Sequence, residues 1–414
     1  MTNLCTIQWG IRRTFFLLQS SSIIAKYSQF MDIRKESNFI PKHVLIVSKV
    51  SRFEFEHLRE PNLNERQLKL RILERGSDYD EMLINHEKNK AVEIQVINTL
   101  KRLNIDYKVT NRLIIEQTQF DWADLVVAIG GDGTFLLGAN LIHDNKKPIL
   151  GINSDPNSSE GYLMLDRYYS TNIERIFELL ISGQFEYIMR TRIRVTLQGE
   201  GIWSQPFHMH EKSRISGQKS SLKSQQIPSL LNTKSIKNER KLPWLALNEI
   251  FIGESLSART SSLEICLDDE KQFRKVKSSG ICISTGTGSS SWYKAINSLT
   301  SQMVKDILHV AMPTNNYSDE EIDKICCKFN DSLQFSSDDS RMSYVIRDII
   351  LNDIWPLPKS IKPRAFCNKL VIRSQCYDAG LVFDGGIGVP FNVGTVAVLE
   401  THPKDALRTI KLSD

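Results

Sequence analysis

Three separated stretches carry residues whose types and spacing could do chemistry. The first is Gly130-Gly131-Asp132-Gly133-Thr134, which follows an apolar run at 125–129 and precedes another from Phe135. Glycines at the end of a strand permit positive φ and close backbone approach. The amides of the turn and of a following helix N-terminus then face a phosphate. Asp132 stands among those amides, where it can accept or orient the proton of an attacking hydroxyl. This chemistry is phosphoryl transfer, with Asp132 catalytic and Gly131, Gly133 and Thr134 holding phosphates. An ordinary glycine-rich strand-to-helix turn would carry the same letters. GxxxxGK[ST] is absent from the chain, so it is not a P-loop protein.

The second stretch is Asn248-Glu249 within Leu247–Ile250. An amide offers donors and an acceptor, and a carboxylate two acceptors, a set suited to ribose hydroxyls and an amide; a polar pair at a strand end would look alike. The third runs from Gly280 to Trp292 and includes Thr287-Gly288-Ser289 at an expected helix start. Hydroxyls and amides there could bind a phosphate or adenine, or merely cap the helix. Trp292 could stack on a ring or fill a core. The histidines show no metal-ligand spacing, and the seven scattered cysteines form no CxxC pair, so no protein metal site is expected and the thiols are read as reduced. Asp384-Gly385-Gly386 reads as a hairpin turn.

These stretches need elements to position them. A Val/Ile-rich strand at 43–50, a long helical pattern at 81–103, an extended piece at 106–109, the strand at 121–129, an apolar helix start at 135–142 and a strand at 148–153 alternate in the manner of a parallel sheet covered by helices. From about Gln184 the pattern becomes short runs with partial apolar/polar alternation, which predicts a β-rich second domain over 184–400. Helices interrupt it near 289–307 and 319–330. In the latter, Ile322, Ile325, Cys326 and Phe329 form an apolar stripe expected in the core. The first domain is thus α/β over 42–183, and residues 401–414 read as a tail.

Composition narrows the function further. The 414 residues are 41% hydrophobic and 24% charged, ordinary globular values, with net charge +5. No run reaches the ~18 apolar residues of a membrane span, and so mild a charge gives no argument for nucleic acid. Residues 1–30 hold Arg12, Arg13 and Lys26 and no acid, a Ser-bearing basic composition expected of a mitochondrial transit peptide over 1–35. Without it the remaining chain is nearly neutral. Residues 208–241 carry eight Lys/Arg against Glu211 and Glu239, and such a polar insertion is expected to be a mobile loop.

Taken together and in order, the GGDGT motif, the Asn248-Glu249 pair and the Gly280–Trp292 stretch resemble the NAD kinase family. Diacylglycerol and sphingosine-type lipid kinases share GGDGT but lack the combination. Asp121-Trp-Ala-Asp124, Asn153–Gly161, Asn248–Arg259 and Asp384-Gly385-Gly386 look like the mitochondrial type of that family. Trp292 stands where the family has Tyr, Gly286 where it has Pro, and Gly138-Ala139-Asn140 where an Arg commonly follows GGDGT. The resemblance implies an NAD kinase/diacylglycerol kinase-like fold, an α/β nucleotide-binding domain followed by a β-rich NAD-binding one. It also implies ATP-dependent phosphorylation of the 2′-hydroxyl of NAD, or of NADH, with Mg²⁺ accompanying ATP, in the mitochondrial matrix, by a homodimer. Asp132 would be the catalytic residue, and Asn248, Glu249, Thr287, Gly288, Ser289 and Trp292 would hold NAD. The remaining alternatives are a lipid kinase of the GGDGT group and a non-catalytic NAD(P)-binding protein.

Overall fold

The computed structural model describes residues 39–209, 238–268, 270, 272–351 and 361–413. The expected transit peptide, and most of the basic insertion, lie outside these residues. The insertion's edges do not: strands Phe207–His208 and Glu239–Ala246 reach into the 208–241 range.

The α/β half is built on a sheet ordered β2-β1-β3-β4-β19-β5. Its strands are β1 (His43–Ser48), β2 (Asp106–Thr110), β3 (Leu125–Gly130), β4 (Pro148–Asn153), β5 (Phe185–Arg190) and β19 (Leu407–Leu412). β1, β2, β3 and β4 pair in parallel, as the strand–helix alternation implies. Successive residues of β1 and β3 face opposite ways, so both faces need cover. Val44, Ile46, Val127 and Ile129 pack under helices α3 (Tyr79–Arg102) and α6 (Ile173–Ile181). Leu45, Val47, Val126 and Ala128 pack under α4 (Gln117–Trp122) and α5 (Asp132–Ala139). Two further helices, α1 (Arg52–Arg59) and α2 (Glu65–Glu74), precede α3 and build a small cluster of Leu68, Ile72, Tyr79 and Met82.

Two sequence expectations about this half are corrected. β5 belongs to the first sheet rather than opening the second domain, and the expected tail 401–414 contains β19, whose Leu407 is fully buried. β19 lies parallel to β4 and antiparallel to β5, so the chain leaves the first sheet, builds the second domain and returns. Unpaired, the β5 edge and the β4 edge would each expose a row of backbone donors and acceptors; β19 satisfies both.

The second half is β-rich, as expected. One antiparallel sheet runs β11-β10-β15-β18-β6-β8 and the other β14-β13-β12-β9-β16-β17-β7. In chain order these are β6 (Ile193–Gly199), β7 (Phe207–His208), β8 (Glu239–Ala246), β9 (Glu249–Glu254), β10 (Ser261–Leu267), β11 (Arg274–Ser278), β12 (Gly280–Ser284), β13 (Met342–Arg347), β14 (Arg364–Cys367), β15 (Lys369–Ser374), β16 (Ala379–Phe383), β17 (Ile387–Pro390) and β18 (Thr395–Thr401). Their inner faces share one core, in which Val195, Leu263 and Ile372 of one sheet meet Ile252, Ile281 and Leu381 of the other. The helices α7 (Trp292–Asn297), α8 (Ser301–Ala311) and α9 (Asp319–Asp331) follow β12. The stripe on α9 is narrower than expected: Ile322 and Cys326 are buried, but Ile325 is 40% exposed because it points away from the contact with α8. Cys266, Cys282, Cys326, Cys327, Cys367 and Cys376 are free thiols, and burial pushes that of Cys367 up to about 12.

Candidate active site

β3 is buried along its whole length, and its last residue begins the turn. Gly130 has φ +153°, and a Cβ there would lie 2.6 Å from Thr134 Oγ1, so this position requires glycine. Gly131 caps α5, whose first residue is Asp132. The orphan amides of that helix end point where a phosphate would sit. Gly133 is exposed, while Gly131, Asp132 and Thr134 are half-buried.

Asp132 is gripped from the loop after β4. The Leu163 N–H donates to Oδ1 at 3.0 Å and the Tyr162 N–H to Oδ2 at 3.2 Å. That loop is itself tied down: Asn153 Nδ2 donates to Ser159 O at 3.1 Å, and Asn89 Nδ2 of α3 to Ser154 Oγ at 3.0 Å. Lys88 of α3 adds an ion pair with Asp155 at 3.2 Å. The carboxylate is therefore aimed, and each oxygen retains capacity for another bond.

Asn248 and Glu249 stand where β8 gives way to β9. Leu247 packs in the same core cluster as Phe135 and Ala139 of α5, which sets the pair against the helix that Asp132 begins. Their backbone is fixed by a residue the sequence reading took for a turn. Asp384, at φ +47° between β16 and β17, accepts N–H groups from Leu247, Asn248 and Glu249 at 2.9, 2.8 and 3.1 Å. Burial raises the Asp384 carboxyl to about 6 against the pull of those amides. Burial, and then the charge of Asp384, raise Glu249 to about 8. Glu249 is thus held toward its protonated form, which can donate a hydrogen bond. Asn248 Oδ1 is buried without a partner, and its Nδ2 reaches Ser291 Oγ at 3.5 Å. A buried acceptor with no protein partner, next to a carboxyl held toward its protonated form, has the chemistry to receive a polar ligand.

The turn after β12 is stapled to this pair. Thr285 Oγ1 donates to Leu247 O and accepts from Gly288 N–H at 3.2 Å. A Cβ on Gly288 would meet Asn248 O at 2.1 Å, so glycine alone permits the approach. Ser289 departs from expectation. Its buried hydroxyl donates to Gly286 O at 2.6 Å and accepts from Phe335 N–H at 3.1 Å, so it is occupied in holding the turn. Thr287 accepts from Arg190 Nη1 at 3.4 Å. Trp292 is half-buried, its ring 4.6 Å from that of Phe251, with the Arg347 guanidinium 5.9 Å from its centre.

Sequence reasoning missed Asp384 as a support, Ser291 as the link between Asn248 and Glu249 (3.5 Å to Glu249 Oε2), and Arg190. The only local signal for Arg190 was a basic pair, Arg190 and Arg192, at the end of an apolar run. Among the described residues no group of three or more His, Cys, Asp or Glu is placed to hold a metal ion, and no helix is long and apolar enough to cross a membrane.

Residues 61–163, which include the GGDGT turn, match the model of the ATP-NAD kinase N-terminal domain. The chain is 36% identical over 392 residues to the mitochondrial NAD kinase 2 of Homo sapiens, covering 92% of this chain and 86% of that protein. It is 35% identical to the Rattus norvegicus protein of the same name, covering 91% and 89%, and 32% identical to that of Xenopus tropicalis, covering 91% and 92%. Two-domain architecture, aimed carboxylate and near full-length identity lead to one conclusion: the chain belongs to the NAD kinase family, and within it to the mitochondrial type.

Proposed function

We infer that the protein is an NAD kinase that transfers the γ-phosphoryl of ATP to the 2′-hydroxyl of the adenosine ribose of NAD, giving NADP and ADP. The observation that carries this reading is Asp132, gripped by two amides at the open end of α5, the helix against which Leu247, next to Asn248 and Glu249, is packed. The 2′-oxygen forms its bond to the γ-phosphorus as the bond from that phosphorus to ADP breaks. The breaking bond's electrons leave with ADP, and the hydroxyl proton passes to Asp132. Gly131, Gly133 and Thr134 present amides and a hydroxyl to the phosphates. Asn248 Oδ1 accepts from the NAD, and the protonated Glu249 donates to it. Thr287 and Gly288, in the turn stapled to that pair, contribute to the same site, and the half-buried Trp292 meets a ring of the substrate.

Magnesium fits as an ion that arrives with the triphosphate and is held mainly by phosphate oxygens, since the described residues offer no acidic cage. Bound there, it neutralises donor charge. A lipid kinase reading is not favoured, because GGDGT is joined here to the Asn248–Glu249 pair. Residues 1–35 act as a mitochondrial leader and the enzyme works in the matrix as a homodimer. A reporter carrying residues 1–35 that stays cytosolic would remove the leader. The central test is NADP formation from NAD or NADH by the chain lacking residues 1–35, with ATP or polyphosphate as donor. Absence of NADP with every pair of substrates would end the reading.

A further inference from the structure

Arg190 ends β5 at the crossing between the two halves of the molecule. Its Nε donates to Thr409 Oγ1 of β19 at 3.2 Å, and its Nη1 to Thr287 Oγ1 of the second half at 3.4 Å. Both partners are neutral hydroxyls, so neither cancels the charge. The acid whose charge acts on the guanidinium is Asp132, which partly offsets the effect of burial. Arg190 is also rigidly mounted. Thr191 N–H donates to Ser337 O at 2.8 Å. Arg192, fully buried, donates Nη1 to Ala139 O at 3.0 Å and to Ile142 O at 2.6 Å, and Nε to Asp405 O at 2.6 Å. Arg192 therefore clamps the far end of α5, the helix whose near end carries Asp132, and the two charges are held in a fixed relation.

Partly burying a guanidinium costs desolvation, and a strut between two threonines needs no charge. A cation fixed on Thr287 of the turn proposed to hold NAD, with Asp132 as the acid whose charge acts on it, gains a use when a substrate phosphoryl group comes within its reach. We propose that Arg190 is a further catalytic residue whose guanidinium binds the phosphoryl group in transit from ATP to the 2′-oxygen. The proposal rests on the reading of Asp132 as the group that takes the hydroxyl proton. In the loose transition state charge spreads over three equatorial oxygens, which a planar fork of donors matches. At the same moment Asp132 gains a proton and stops offsetting Arg190. The cation is thus released toward the phosphoryl as its charge is needed, and it is already oriented when that happens.

The test compares wild type, Arg190→Gln and Arg190→Lys in NADP formation from NAD and Mg-ATP, with melting temperatures measured alongside. Gln keeps a hydrogen bond to Thr287 without the charge. Its kcat should fall by about 10²–10³, the scale of a lost transition-state donor, while the KM for NAD moves less than about threefold. Lys, which keeps a point charge without the fork, should fall between the two. A folded Arg190→Gln with kcat within about tenfold of wild type overturns the proposal. So does a raised KM for NAD with unchanged kcat, which would make Arg190 a ground-state anchor. If the Gln variant does not fold, the Lys variant decides: a melting temperature near wild type with kcat at least about tenfold down supports the proposal, and an unchanged kcat overturns it. Wild type that forms no NADP overturns the function beneath it instead.

Discussion

At the scale of single residues, Asp132 and Glu249 divide the work by environment. Replacing Asp132 with Asn keeps its size and removes the proton acceptor, so turnover should fall by about 10²–10⁴, roughly 3–5 kcal/mol of barrier. The dissociation constant for NAD should shift less than about tenfold, because Asn248 and Glu249 are untouched. Turnover above a tenth of wild type would show that another group takes the proton. Glu249 gives a pH signature instead. Its carboxyl is raised from 4.5 to about 8, so the folded state holds a proton that the unfolded state releases. The stability this confers is complete below the unfolded value and drains away as pH rises toward about 8. Wild type should therefore lose melting temperature between pH 6 and pH 9 relative to Glu249→Gln, and its NAD affinity should weaken as the donor ionises. Parallel melting curves for the two proteins would refute the assignment. The types of Asp132, Asn248 and Glu249 were legible in the sequence. The protonation of Glu249 was not, because it depends on burial and on Asp384, which arrives from 135 residues away.

At the scale of elements, local pattern was a good guide to strands and helices and a poor one to how they end. The helical pattern at 81–103 matches α3 within two residues, and the GGDGT turn joins β3 to α5 as its glycines demand. The turn after β12 shows the limit. Its letters announce a helix start, but Ser289 Oγ is committed to Gly286 and Phe335 and the close contact is made by Gly288. Adding one methyl group at that position tests the argument. Gly288→Ala forces Asn248 to move and should cost about 1–3 kcal/mol of stability, as overpacking does. It should also raise the KM for NAD, because the displaced carbonyl belongs to Asn248, which is proposed to bind NAD. A variant whose urea midpoint and KM both equal those of wild type would mean that the turn is slack.

At the scale of the whole molecule, the second domain is inserted into the first. β19 lies between β4 and β5, with Leu407 fully buried and Thr409 and Ile410 nearly so. Losing buried residues of this size costs about 2–5 kcal/mol each, against a total stability of about 5–15 kcal/mol. Ending the chain after Asp405 should therefore abolish cooperative unfolding and yield insoluble protein, and the removed strand would orphan both neighbouring edges. A soluble truncated enzyme with near-normal turnover would show that the last strand is dispensable. The same return also supplies Thr409 to Arg190 and Asp405 to Arg192 and Arg194, so the active-site geometry depends on the end of the chain.

What the sequence determined by itself was class and the residue types of the proposed site: a glycine-rich turn around one carboxylate, an α/β half followed by a β-rich half, and the Asn248-Glu249 pair. Those features are local, written in a few neighbouring side chains or in a periodicity of two or 3.6 residues. The tertiary structure alone decided that Asp384 would fix the backbone of Asn248 across 136 positions, that the expected tail would complete the first sheet, and that Arg190 would reach Thr287 across 97. A strand or a long side chain carries no label for its distant partner. That choice is made only when the packing of both domains removes the alternatives.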